Sequence, residues 1–207
     1  RGRRGHERGH SVVFPDGPTR ALLVKEALLA ARNSRSLLWF GFLLFIWLMQ
    51  TALNGVLAHN IANYDISPVV TSAVTLVMEF VTAVYFMCAF VLRFVFPAFS
   101  TERRTVWILF SAPVDYRKIF WIKFIFYAFI FLALGLVIGY LNLFVLPLPG
   151  ALAGTAIGVY LCAVLFLTAL GLSLGALFPN LETSDPGVIS TTMPGIVFII
   201  LSLSYGA

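Results

Sequence analysis

Apolar positions in this chain come in long blocks, neither alternating nor spaced along one helical face. Four blocks, 37–57, 69–96, 119–144 and 151–177, reach or exceed the roughly 20 residues that carry an α-helix across a bilayer core. A fifth begins near Val188, runs to the end, is shorter, and is interrupted by Pro194. Block 69–96 is long enough to tilt or to project beyond the hydrocarbon. Polar connections at 59–68, 100–118, 147–150 and 178–187 separate the blocks. The pattern predicts an all-α, polytopic transmembrane bundle with about five spans. Ahead of it lie two further elements. Residues 1–19, rich in Arg, Gly and His with Pro15 and Pro18, predict a mobile basic tail. Residues 20–35 predict a helix starting near Pro18. At 100° per residue its Lys25, Arg32 and Arg35 share an arc of about 80°, with Leu22 and Leu29 elsewhere, which suits a helix lying along lipid headgroups.

Composition supports lipid as the solvent. The 207 residues are 60% apolar and 11% charged, against roughly 45–50% and 25% in soluble domains. The net charge of +5 matters less than where the cations fall. Eight of the 14 Lys and Arg precede residue 36, four lie in 100–118, and neither 58–68 nor 147–150 has any. The positive-inside rule therefore places the N-terminus and the loops 100–118 and 178–187 in the cytoplasm, and the other two outside. The remaining two cations, Arg93 and Lys123, sit near span ends, where long side chains reach the interface. Cys88 and Cys162 lie inside apolar blocks and read as buried packing residues, without a disulfide or metal. The chain does not begin with Met and stops against an apolar run, so it reads as part of something longer.

The connection 100–118 carries the most chemistry. Ser100 suits a helix N-cap and Glu102 its positive first turn. Trp107, Leu109 and Phe110 are placed to insert into a groove or the interface. Pro113 stops the helix at Ala112, and Asp115 can cap the next one. The expected element is a short amphipathic helix across the cytoplasmic surface, tied at both ends to spans. Such an element either docks a soluble partner or is an ordinary basic loop.

The run Ser100-Thr101-Glu102-Arg103, then Trp107-Ile108-Leu109, Ser111-Ala112-Pro113-Val114 and Lys123 resembles a pattern in ABC-2 type permeases of ATP-binding-cassette exporters. Phe178-Pro179-Asn180-Leu181-Glu182 with Asp185-Pro186 is similar to a second cytoplasmic pattern in one branch of them. The resemblance spans most of 20–205. It departs at Arg103, where Gly is common, and in the absence of a sixth span. It implies the membrane permease subunit of an exporter in the cell membrane, not itself an enzyme. ATP hydrolysis would be supplied by a separate ATPase subunit binding ATP and Mg, and a second permease half or a homodimer would complete the pathway. No GxxxxGK[ST] occurs, and no cofactor, metal or nucleic acid is expected in this chain. Ser100, Glu102, Arg103, Arg104, Trp107, Pro113, Arg117 and Lys118 are the implied docking residues, with Asn180, Glu182 and Asp185 in the second loop. A polytopic enzyme or scaffold, or a secondary transporter without an ATPase partner, is the alternative.

Three further features bear on function. Glu79, about ten residues into the second span, is costly there, on the order of 3 kcal/mol or more, and must face protein or water. It is either a pathway-lining or proton-linked carboxylate, or a neutral Glu bonded to a neighbouring helix through Thr75, Thr82 or another hydroxyl. His6-Glu7-Arg8-Gly9-His10 spells HExxH, but in an Arg/Gly tract without a third ligand it does not read as a zinc site. Gly135/Gly139 and Gly171/Gly175 form GxxxG pairs that permit close helix approach, within the bundle or at a subunit interface. Gly154 and Gly158 add the same possibility, and Tyr140, Asn142 and Tyr160 suit the outer interface.

Overall fold

A computed structural model describes residues 18–63, 67–102, 116–145, 150–180 and 185–206. All its regular elements are helices: α1 (Pro18–Arg32), α2 (Ser34–Ala62), α3 (Pro68–Phe90), α4 (Tyr116–Val145), α5 (Gly150–Leu177), α6 (Pro186–Ser190) and α7 (Met193–Gly206). The all-α bundle expected from the blocks is the observed fold. Four stretches are long and apolar enough to cross a membrane: Ser34–Ile61, Val69–Ala98, Tyr116–Asn142 and Gly154–Leu177.

The fifth block differs from the expectation. Its helix is the 14-residue α7, about 21 Å long at 1.5 Å per residue. Pro194 does not interrupt it. It lies in the first turn, where a missing N–H costs nothing, and the break falls before it at Thr191 and Thr192. The interfacial helix is also shorter than expected. Asn33 leaves the helix and its Oδ1 accepts the Ser36 N–H at 3.2 Å, so it caps α2 and assigns Arg35 to the next element.

α3 is the central helix, touching α2, α5 and α7. Half of its most apolar window is buried, against 11% for α2, which lies at the periphery. Trp47, Phe90, Phe131, Leu167 and Phe198 form the middle of the core. In lipid this core is held by packing rather than by exclusion of water, which favours small residues at crossings. A Cβ on Gly175 would meet the Phe96 carbonyl oxygen, so this glycine lets α5 close onto the turn that follows α3. Gly135 packs against Tyr160, where a Cβ would come within 3.1 Å of the ring. The GxxxG pairs thus serve contacts inside the bundle, while Gly154 and Gly158 face open space.

Beyond Phe90 the chain continues as a π-helical turn, Val91–Val95, and a 3-10 turn, Phe96–Ala98. Pro97 explains this change. It has no N–H for the Arg93 carbonyl, and its ring crowds the preceding turn. The Phe96 N–H reaches back to the Val91 oxygen. The Leu92 carbonyl, released from the ladder, is met by the Ser190 hydroxyl at 3.0 Å.

Candidate functional site

Two polar centres lie at different depths along α3. At the first, α1, the end of α3 and the start of α4 meet. Lys123 Nζ is 2.7 Å from Glu26 Oε1 and 2.9 Å from Glu102 Oε1, and Lys25 Nζ reaches the same Glu102 oxygen at 2.8 Å. Lys123 also donates to the Ala98 carbonyl at 3.3 Å, an oxygen in the 3-10 turn that ends the third helix. Only 2% of the Lys123 side chain is exposed, so it does not reach the interface as its position near a span end suggests. Its four carbons cross the α1–α4 contact, and two carboxylates stabilise its charge there. Burial by itself would raise the Glu102 pKa. Lys123, backed by Lys25, outweighs burial and holds the carboxyl below its ordinary value of 4.5.

This geometry relocates several expected docking residues. Glu102 is turned inward to the two lysines and is buried. Ser100 is buried too, and its Oγ accepts the Asn180 backbone N–H at 3.0 Å, joining the first connection to the second. Arg117 and Lys118 are exposed at the start of α4. Asp185 caps α6 through a 2.9 Å bond from the Gly187 N–H. Arg103, Arg104, Trp107, Pro113 and Glu182 lie outside the described residues, as does the HExxH tract. Arg93 sits over the Trp39 ring, 4.9 Å from its centroid. Cys88 is buried as expected, whereas Cys162 is exposed.

The second centre surrounds Glu79. Its Oε2 accepts from Asn54 Nδ2 at 3.0 Å and its Oε1 from Asn142 Nδ2. Asn54 Nδ2 also lies 3.2 Å from Thr82 Oγ1, and Gln50 Nε2 donates to Asn54 Oδ1 at 3.2 Å. Glu79 is therefore bonded to amides on α2 and α4 rather than directly to the hydroxyl of Thr75 or Thr82. Asn142 turns inward instead of anchoring at the outer interface. The sequence reading missed Gln50 and Asn54. Their signal is the 50, 54 spacing on one face of α2, opposite Thr71, Thr75, Glu79 and Thr82 on one face of α3. Beside Glu79 lies a cavity of about 770 Å³, lined mainly by apolar side chains of α3, α5 and α7. Its rim residues Val77, Val81, Tyr85, Val159 and Tyr205 are exposed on the bundle surface, so it opens sideways, towards lipid. Tyr160, which lines it, is buried, and its hydroxyl has no hydrogen-bond partner; neither does Asn142 Oδ1. No group of His, Cys, Asp and Glu arranged for a metal occurs among the described residues.

Buried charges and four membrane-length apolar helices define a polytopic membrane protein. The chain belongs to the family described as "Putative ATP-binding cassette", whose model matches residues 3–206. No curated protein and no solved structure matches it. This membership corrects the reading built on the loop motifs. The match is to this family and not to the ABC-2 permeases, so the assignment as an exporter's permease subunit served by a separate ATPase does not stand. The motifs misled because a capping Ser, an early Glu and a terminating Pro are what many interfacial helices need. The alternative without any ATPase partner is not supported either. The relation to ATP-binding-cassette transporters holds in the broader sense. The pocket itself does not fit a nucleotide, since its charged group is a carboxylate, which repels phosphate.

Proposed function

We propose that this member of the ATP-binding-cassette family is embedded in the cell membrane by its apolar helices, and that its working site is the pocket beside Glu79. The pocket takes an amphipathic molecule from the surrounding bilayer. One observation carries this reading: a cavity open to lipid and walled mainly by apolar side chains has the carboxyl-bearing Glu79 in its lining, with Asn142 and Tyr160 beside it. A molecule with an apolar body and a polar head matches such a lining, and cavities of roughly 300–1,000 Å³ suit such molecules. The ion-pair junction around Lys123 is a structural joint that fixes α1 and α4 to the end of α3.

The test is photolabelling of the full protein in bilayers with an uncharged single-chain amphiphile bearing a diazirine. Adducts should concentrate on 76–85 and 155–160 and fall several-fold when Ala156→Trp fills the cavity. Adducts spread evenly over the lipid-facing surfaces, and unaffected by that substitution, would refute the reading.

A further inference from the structure

We infer that the head group taken by this pocket is a cation, and specifically a primary or secondary ammonium. The inference rests on the pocket reading above and adds the chemical class of the ligand. Both Glu79 oxygens are held by amide NH₂ groups, from Asn54 and from Asn142. With both amides turned this way the carboxyl group only accepts, which is how a carboxylate is solvated. The Asn54 amide is not free to turn over. Its Oδ1 is engaged by Gln50 Nε2, which keeps its nitrogen towards Glu79. The arrangement thus prepares a place for a carboxylate within a membrane-spanning bundle.

No positive residue balances that charge among the described residues. The ion pairs found there join Lys25, Glu26, Glu102 and Lys123. Arg93 is engaged with Trp39 and is 14 positions from Glu79 along the same chain segment, about 21 Å if the helix were straight. Arg32, Arg35, Arg117 and Lys118 are exposed at helix ends. Amide donors solvate a carboxylate but do not neutralise it, and an unpaired buried charge in a membrane is costly.

The cavity supplies the rest of the recognition. Glu79 lines it together with Asn142 and Tyr160. A carboxylate takes hydrogen bonds as well as charge, so a head group that brings N–H donors to Glu79 is held better than one without them. Phe80 and Tyr205, with ring centroids 6.5 Å apart, add aromatic faces that attract a cation. A carboxylate beside apolar walls selects an alkylammonium over a quaternary ammonium, and both over an alcohol or a carboxylate.

The experiment uses the full protein in zwitterionic bilayers. Dodecylamine, dodecyltrimethylammonium, dodecanol and dodecanoate compete with the uncharged photolabel, each scaled to its membrane-bound concentration. Dodecylamine should compete at least tenfold better than dodecanol, trimethylammonium should fall between them, and dodecanoate should compete least. Glu79→Gln should abolish the preference for cations. Tyr160→Phe, which leaves the Glu79 amides in place, should keep both cations ahead of dodecanol. Equal competition by dodecylamine and dodecanol, or an unchanged preference in Glu79→Gln, overturns the cation assignment and leaves the pocket standing. Labelling that no amphiphile displaces and that Ala156→Trp does not alter overturns the pocket and the cation together.

Discussion

Replacing Lys123 by Met keeps the length and apolar character of the side chain and removes one charge. Its Nζ is 2.7 and 2.9 Å from two buried carboxylate oxygens. At those separations each attraction is about 6 kcal/mol for an effective dielectric near 20. Desolvating the ions offsets much of that, and removing one partner of a buried pair typically costs about 3–5 kcal/mol. Glu102 keeps Lys25 at 2.8 Å, so Glu26 bears most of the loss. At roughly 2–4 °C per kcal/mol for a chain of this size, the midpoint of thermal unfolding at pH 7 should drop by about 6–20 °C. Intrinsic fluorescence of the detergent-solubilised protein reads this directly. Adding Glu26→Leu to the variant should restore most of the loss, because no stranded carboxylate then remains at that position.

Acid supplies an independent check. In the native protein the Glu102 pKa is below its ordinary value of 4.5, so its contribution is present above that pH and is lost as pH falls through the folded value. In Lys123→Met the one carboxylate left without a lysine, that of Glu26, is relieved by acid, which neutralises it. The difference between the two proteins should shrink from pH 7 to pH 4. A shift below about 2 °C at pH 7, a difference unchanged at pH 4, or no recovery with Glu26→Leu would refute the idea that these charges hold α1 and α4 to the end of α3.

Gly175→Ala should destabilise the protein by about 1–3 kcal/mol, because the added methyl meets the Phe96 carbonyl in the 3-10 turn that follows α3; thermal unfolding checks it, with Gly158→Ala, in open space, as the near-neutral comparison. A small alkyl diazirine dissolved in the bilayer, whose carbene needs no thiolate, should insert at exposed Cys162 several-fold more than at buried Cys88; mass spectrometry of the two cysteine peptides checks the ratio, and equal insertion would contradict the burial assigned to Cys88.

What the sequence determined by itself was the medium and the element type. Apolar blocks of bilayer length leave the backbone one way to satisfy its hydrogen bonds in hydrocarbon, which is the helix. That reasoning needs no neighbours, so the all-α bundle was legible, and so was the unusual placement of Glu79. Local rules failed where the deciding atom was distant in sequence. Lys123 looked like an interfacial side chain until Glu26, 97 residues away, was found against it. Asn142 looked like an outer anchor, but it crosses to Glu79, 63 residues back. The partners of Glu79 came from α2 and α4, and the cavity beside it came from the way α5 and α7 leave α3. A buried charge announces that it needs a counterpart, and only the packing of the helices decides whether that counterpart is a lysine, an amide, or a group the chain does not itself supply.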